Sequence, residues 1–250
     1  MIKPTVWIHP GVISIYGSNI DATTHTHHAI QVIWPKKDSH CKLNGQNLSG
    51  LTIIDSKVEH QLQMSEGWVL LLEPKSELGQ AFKKKLNANP LITINNCVAT
   101  TTTPSNNLES VTNHLAPLLN ELALTNQLMA YNKSTVKDKR IQQLLTELNQ
   151  CLQGSCIKPA NWRAAEVANQ LALSESRFLH LFSKELGIAW RPYLLWRRMM
   201  CAIQALKHNT SATNAAHLAG FSDSAHLSRT FRNNFGMTIR QALTIFNKVS

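Results

Sequence analysis

Short apolar runs separated by turn residues fill the chain between Val6 and Ile94. Four of these runs are rich in Ile, Val, Leu and Trp, as β-strands are. Glycines, prolines and an Asn44-Gly45 pair separate them. Several short strands at this spacing predict a β-sandwich or a β-barrel. A short helix is predicted around Ser76–Leu86.

The hydrophobic period changes after a polar stretch at residues 100–107, which is a predicted hinge. Leucines at helical spacing follow, and Pro117 is expected to kink or split their helix. A second apolar face predicts another helix, begun by Ser134 and ended by Gly154 and Pro159. These leucine-rich helices either form a dimer contact or pack on their own domain, and the sequence leaves both alternatives open.

The last hundred residues contain a degenerate repeat. Five positions match with an offset of 48, and the apolar positions that follow match with an offset of 49. The five pairs are Ala168 with Ala216, Leu173 with Phe221, Ser174 with Ser222, Glu175 with Asp223 and Ser176 with Ser224. Each copy has the pattern of a helix–turn–helix: a small alanine, a short turn, a serine that can cap the second helix, and two apolar residues at i and i+4. The predicted caps are Ser174 and Ser222. The residues expected in the core are Phe178, Phe182, Leu227 and Phe231.

A single amphipathic helix is predicted between the two copies, over residues 190–208. Pro192 suits its first turn, and one apolar stripe runs along it. Such a helix is ~28 Å long at 1.5 Å per residue. It could therefore hold the second helices of the two copies about 34 Å apart, which is one turn of DNA. We call these second helices, which would read the bases, the reading helices.

The charge of the chain is unevenly distributed. Its formal net charge is +10. Residues 1–150 carry 13 Lys/Arg against 11 Asp/Glu, a net charge of +2, whereas residues 151–250 carry 12 against 4, a net charge of +8. A basic domain beside a nearly neutral one suggests a nucleic-acid binder joined to a second function. A basic surface that serves only solubility is the alternative.

Several classes of protein are excluded by composition. No stretch approaches ~18 consecutive apolar residues, so neither a transmembrane helix nor a membrane partner is expected. The first ten residues lack the charged and apolar regions of a signal peptide. The five cysteines form no paired pattern, which favours a reduced, cytoplasmic protein over a disulfide framework.

The repeat and its connecting helix resemble the DNA-binding region of the AraC/XylS family of bacterial transcription regulators. The similarity covers about Asp138–Phe246. It rests on Ala…Leu-Ser-x-Ser-x-Phe-x-x-Leu-Phe in the first copy, Gly-Ile-Ala-Trp after it, and Gly-Phe-Ser-Asp in the second copy. Two departures concern the second copy, where the helix before Gly220 is rich in alanine. The usual Thr-Pro ending is replaced by Thr238-Ile239.

The resemblance implies an α+β protein in three parts. The first is a cupin-like β-barrel or sandwich that senses an effector, and the second is a helical connector that could support dimerisation. The third is an all-α DNA-binding domain with two helix–turn–helix motifs joined by a linker helix. The expected boundaries are 1–103, 104–137 and 138–250, with the motifs at about 164–187 and 212–236.

The function implied by the resemblance is sequence-specific DNA binding that regulates transcription, most often as an activator. The implied partners are double-stranded promoter DNA, RNA polymerase, a small-molecule effector and a second copy of the chain. The protein is not expected to be an enzyme or to need a cofactor. Arg198 is expected to brace the domain internally. The residues implied in DNA contact are Ser176, Arg177, Leu179, His180, Lys184, Ser224, Ala225, His226, Ser228, Arg229 and Arg232.

A histidine cluster stands out in the first part of the chain. His25 and His27 form a His-x-His pair, and His60 follows later, a layout similar to that of cupin metal sites. Gln31 occupies the position where a carboxylate is expected, and an amide binds metals poorly, so no metal is assigned. His25, His27, Gln31, Trp34 and His60 are instead predicted to bind an effector.

Other interpretations of this cluster remain open. The histidines could be purely structural, and the protein could be a regulator without a ligand. A metal-dependent cupin enzyme fused to a DNA-binding domain is a further alternative, and the missing carboxylate counts against it.

Overall fold

The computed structural model describes residues 5–99, 108–123, 136–153 and 162–246. The chain divides into two compact units, one formed by residues 1–133 with 228–250 and the other by residues 134–227. The predicted hinge at 100–107 lies outside the described residues, as do the predicted helix boundaries Ser134, Gly154 and Pro159.

The first unit is built on an antiparallel β-sheet of eight strands, in the order β1-β2-β7-β3-β6-β8, with β4 paired to β7 and β5 to β4. This confirms the β-rich front part that the apolar runs predict. The strands are β1 (Thr5–His9), β2 (Val12–His25), β3 (Ile30–Pro35), β4 (Cys41–Leu43), β5 (Gln46–Asn47), β6 (Gly50–Ile54), β7 (His60–Leu72) and β8 (Leu91–Asn95).

Local sequence explains how the strands begin and end. The β4–β5 hairpin turns at Asn44-Gly45, where both residues have positive φ (50° and 78°), as a tight two-residue hairpin requires. All residues of β3 and β6 are buried, because both faces of these central strands are covered. The pairing of β2 with β7 shifts between Ala22 and His25, so a bulge lies just before the first histidine of the cluster.

Helices α1 (Glu77–Leu86) and α2 (Leu108–Glu121) cover one face of the sheet. Pro117 lies inside α2. The apolar side chains of both helices join Trp34, Trp68 and Tyr16 in a single core. Leu115, Leu118 and Leu119 of α2 and the adjoining Leu122 are all buried in that core. Of the two interpretations left open for this helix, packing on its own domain is therefore confirmed.

Helix α9 (Ile239–Phe246) also belongs to the first unit and packs against β1 and β2. A Cβ atom at Gly17 would lie 2.9 Å from Cγ2 of Ile245, so the glycine permits this close approach. The backbone N–H and the hydroxyl of Thr23 both donate to the carbonyl oxygen of Gly236, each at 2.8 Å. The end of β2 is thereby hydrogen-bonded to Gly236, which lies shortly before α9.

The second unit is helical. Its helices are α3 (Lys139–Gln153), α4 (Ala164–Gln170), α5 (Glu175–Leu186), α6 (Trp190–Lys207) and α7 (Ala212–Leu218), and α8 (Ser224–Phe235) begins in it. The helices of the repeat and the connecting helix thus form where the sequence pattern predicts them. The core joins the apolar face of α3 to Phe178, Phe182 and Trp190, so the leucines of α3 also pack on their own unit.

The cysteine prediction is wrong at one position. Cys41 and Cys97 are free, but Cys201 in α6 is disulfide-bonded. Spacing along the sequence did not reveal this pairing, because a disulfide depends on the distance between chain segments in space. In the described part of the chain, no helix has both the length and the apolar character needed to cross a bilayer.

Candidate functional site

The first reading helix, α5, has clear end signals. Ser174 caps it by accepting a hydrogen bond from the backbone N–H of Arg177 at 3.3 Å, as predicted. Gly187 ends it in the left-handed conformation, with φ 68°. Phe178 and Phe182 are fully buried, which confirms their place in the core. The helix therefore turns one apolar face inward and leaves the other to solvent.

The predicted DNA-contact residues of α5 lie on this outer face. Ser176, Arg177, His180 and Lys184 are exposed. Leu179 is only partly buried and packs against the core, so part of its surface stays accessible. The outer face thus carries a hydroxyl, an imidazole and two cationic side chains, all of which can bond to phosphates or to base edges.

The second reading helix, α8, is capped differently from the prediction. Asp223, not Ser222, accepts the hydrogen bond from the backbone N–H of His226, at 2.6 Å. The hydroxyl of Ser222 instead donates to the other carboxylate oxygen of Asp223, at 2.9 Å. The physical reason is the extra residue in the second copy, since α8 begins at Ser224 and moves the cap one position along.

The outer face of α8 is also accessible. Ala225, Ser228, Arg229 and Arg232 are exposed, and Ser224 is half-buried. His226 is half-buried because its ring packs edge-on against Phe221, with 5.3 Å between the centroids. Its Nδ1 lies 3.2 Å from the Ser222 hydroxyl. His226 thus contributes to the start of the helix, whereas Arg229 extends freely from its surface.

Arg198 braces the turn between α7 and α8, as the resemblance implied. Its guanidinium donates to the backbone carbonyls of Ala219, at 3.0 Å, and of Gly220. The same group lies over the ring of Phe221, 4.3 Å from the centroid. These contacts hold the turn that orients the second reading helix, so the charge of Arg198 is directed inward.

The neighbouring Arg197 is also directed inward. It is 3% exposed and donates to the carbonyl of Leu148 at 2.8 Å and to Oδ1 of Asn149 at 2.9 Å. It therefore ties α6 to α3. Its position beside Met199 and Met200 in a buried stretch of α6 was the available signal, because a cation among core residues usually has an internal partner.

We expect Arg198→Ala to lower the free energy of unfolding by about 2 kcal/mol, because two charge-assisted hydrogen bonds to carbonyls are lost. Arg191→Ala, an exposed arginine of the same helix, is the matched control and should change stability by no more than ~0.5 kcal/mol. Urea unfolding followed by circular dichroism measures both variants. Equal stability of the two would contradict the bracing role.

Four of the five predicted effector residues come together in the first unit. His25 ends β2 and lies opposite His60, the first residue of β7, and His27 follows in the turn before β3. The ring centroids are 4.3 Å apart for His25 and His60, 5.3 Å for His27 and His60, and 5.5 Å for His25 and His27. The side chain of Gln31 reaches His27, with Oε1 2.9 Å from Nε2.

Trp34 does not join this group. It follows Gln31 by three positions on β3, and side chains an odd number of positions apart lie on opposite faces of a strand. It is buried in the core with Trp68, Tyr16 and the helices α1 and α2. The sequence could not separate the two faces of β3, because every residue of this strand is buried.

The electrostatic state of the histidine cluster follows from its burial. His25, His27 and His60 are 7%, 6% and 1% exposed. Desolvation, together with the neighbouring imidazoles, lowers the pKa of His25 to about 4 and that of His27 to about 3. Burial also lowers the pKa of His60. All three rings are therefore neutral at pH 7, which is the state in which imidazole binds metals.

Comparison with known proteins finds a family match in the last part of the chain. Residues 167–244 match the helix-turn-helix domain family. The transcriptional activator RhaS of Escherichia coli is 37% identical over 81 residues, which cover 32% of this chain and 28% of RhaS. The matched segment thus spans little more than a quarter of that relative.

Solved structures resemble the chain over most of its length. A crystal structure of an apo ToxT variant from Vibrio cholerae strain SCE256 aligns with a TM-score of 0.51 and 13% identity, over 95% of this chain and 98% of that one. At this identity the similarity concerns the fold alone.

The fold defines the class of protein, an α+β protein that contains a β-sheet unit and a helix–turn–helix region. Within this class, the helix–turn–helix region at residues 167–244 resembles that of AraC/XylS regulators.

Proposed function

We propose that the protein is a sequence-specific DNA-binding regulator that activates transcription from its target promoters. The observation that carries the proposal is the match of residues 167–244, which include both reading helices, to a helix-turn-helix family. The outward faces of α5 and α8 supply the chemistry, since they expose cationic and hydroxyl side chains. The net charge of +8 in residues 151–250 adds a general attraction for phosphates.

The roles of individual side chains follow from their length and position. Arg177, near the start of α5, and Arg229, in the middle of α8, suit bidentate bonds to guanine in the major groove. Ser176, His180, Ser224 and Ser228 suit hydrogen bonds to bases or phosphates. Lys184 and Arg232 lie further along their helices and suit phosphate contacts. Leu179 and Ala225 suit apolar contact with thymine methyl groups.

Arg229→Ala tests the reading role directly. We expect the variant to lose ~1–3 kcal/mol of discrimination at one base pair, because one bidentate arginine contact is removed. Selection of binding sites from a random DNA pool measures this as a flattened preference at one position. The other positions of the selected motif should be retained.

Arg140→Ala is the matched control, because Arg140 is exposed, lies on α3 and pairs with Asp138 at 2.7 Å. Its selected motif should equal that of the wild type. An unchanged motif for Arg229→Ala would contradict the reading role of Arg229. A wild-type chain that enriches no motif at all would contradict the proposed function itself.

We further propose that the first unit controls DNA occupancy, by binding an effector, by dimerising, or by both. An effector that favours one conformation of the chain would shift the population toward or away from DNA binding. The buried polar cluster of His25, His27, Gln31 and His60 supports a regulatory role, because buried polar groups are costly in a sheet that serves only as a scaffold. The activating step would require contact with RNA polymerase.

A further inference from the structure

The orientation of three buried imidazoles in the first unit is fixed by the backbone. Nδ1 of His25 lies 2.8 Å from the carbonyl oxygen of Thr23. Nδ1 of His27 lies 3.0 Å from that of Ala29, and Nδ1 of His60 lies 3.0 Å from that of Val58. A carbonyl oxygen only accepts hydrogen bonds, so each Nδ1 must carry the hydrogen.

This assignment determines the other ring nitrogen. A neutral imidazole that is protonated at Nδ1 has a lone pair at Nε2 and no hydrogen there. His25, His27 and His60 therefore each present an acceptor at Nε2. One ring nitrogen from each of the three residues falls within 4.8 Å of the others. Because the Nδ1 atoms already face carbonyls, the converging lone pairs are those of the Nε2 atoms.

Two of these three buried acceptors lack a donor among the described residues. Nε2 of His60 has no hydrogen-bond partner among the described residues. Nε2 of His27 lies 2.9 Å from Oε1 of Gln31, an oxygen that accepts hydrogen bonds and donates none, so this nitrogen gains no donor from it. Leaving a buried acceptor unsatisfied costs ~1–3 kcal/mol. A cation that accepts several nitrogen lone pairs at once would remove this cost.

We propose that His25, His27 and His60 bind one divalent transition-metal ion through their Nε2 atoms. Neutral imidazoles suit zinc, iron, copper and nickel, whereas magnesium and calcium prefer oxygen ligands. Each proposed ligand already donates its other ring N–H to a backbone carbonyl, the arrangement that orients metal-binding histidines in proteins. A water molecule completes the coordination.

The dimensions of the cluster are compatible with such an ion. Zinc–nitrogen bonds are ~2.0–2.1 Å long, which places tetrahedral ligand atoms roughly 3.4 Å apart. The nitrogens lie within 4.8 Å of one another, so small inward rotations of the rings bring them to bonding distance. The ion would join the end of β2, the turn before β3 and the start of β7 into one rigid cluster.

The experiment uses the full chain without a histidine tag, kept reduced and dialysed against a chelator, and titrated with zinc and with cobalt. We expect one equivalent of either ion to bind. The cobalt complex should show the visible bands of nitrogen and oxygen ligands, without the near-ultraviolet band of thiolate ligands. His27→Ala and His60→Ala should each weaken metal binding by about 100-fold or more. The reason is that losing a direct ligand costs at least as much affinity as losing a group that hydrogen-bonds to a ligand.

His40→Ala is the matched control, because His40 is exposed and lies outside the cluster. It should bind as the wild type does. X-ray absorption at the zinc edge of the wild-type complex counts imidazole ligands without any variant, so the test survives a variant that fails to fold. Absence of stoichiometric binding, a thiolate band, or unchanged affinity in His60→Ala would overturn the proposal. None of these outcomes bears on DNA binding, which the site-selection assay tests separately.

Discussion

Raising the salt concentration from 50 to 200 mM is expected to lower the affinity of the protein for its DNA site by about 10³-fold, as for a protein that neutralises about six phosphates. The reason is that each phosphate contact releases condensed counterions, so the logarithm of the association constant falls linearly with the logarithm of the salt concentration. Residues 151–250 carry 12 Lys/Arg, which is more than enough for that number of contacts. Fluorescence anisotropy with a labelled duplex at several salt concentrations gives the slope.

Removing individual phosphate contacts should change this slope in steps. Lys184→Ala and Arg232→Ala should each reduce it by about 1 and weaken binding equally on all sequences. Arg198→Ala should leave the slope unchanged in the folded fraction, because its guanidinium bonds to the carbonyls of Ala219 and Gly220 rather than to solvent. A flat salt dependence of the wild type would mean that the basic charge serves something other than phosphate binding.

The second large effect is expected from Trp190→Ala, which should lower the free energy of unfolding by ~3–5 kcal/mol. Trp190 is 1% exposed and lies at the centre of an aromatic cluster. Its ring is stacked on Trp162 at 5.9 Å and meets Phe178 and Phe182 edge-on at 5.3 and 5.0 Å. Its indole N–H donates to the carbonyl of Trp162 at 3.2 Å. The substitution therefore leaves both a cavity and an unpaired carbonyl.

Urea unfolding of the full chain, followed by circular dichroism, measures this loss. Trp190→Phe should cost less, because the ring contacts are largely kept and only the hydrogen bond and part of the volume are lost. Leu218→Ala is the control for an exposed apolar residue of the same unit, at 36% exposure, and should change little. If Trp190→Ala stayed within 1 kcal/mol of the wild type, the aromatic cluster would not be the core of the first helix–turn–helix.

Much of the helical region could be predicted, because its signals are local. Helix caps, glycine stops and apolar pairs at i and i+4 act within one or two turns, so Ser174, Gly187 and Phe178 could be assigned from sequence alone. The cap of α8 could not, since one inserted residue made Asp223 a better acceptor than Ser222. Two possible caps in adjacent positions are distinguished only by the backbone geometry at the start of the helix.

The front unit was predicted less completely, for a physical reason. Period-two patterns reveal which face of a strand is buried, and they lose this information when both faces are covered. This happened in β3, where Gln31 joins the histidines and Trp34 lies in the opposite core. The disulfide at Cys201 was missed for a related reason, because spacing along the sequence does not give the distance between two cysteines in space.

By itself, the sequence determined the class of fold, the two helix–turn–helix repeats and the residues on their outer faces, because these depend on spacing along single helices. Only the tertiary structure decided what the charges and histidines face. It directed Arg197 and Arg198 inward and left Arg229 exposed. It also turned three imidazoles so that their Nδ1 atoms meet carbonyls and their lone pairs converge. Such directions depend on how strands and helices pack, which no local pattern records.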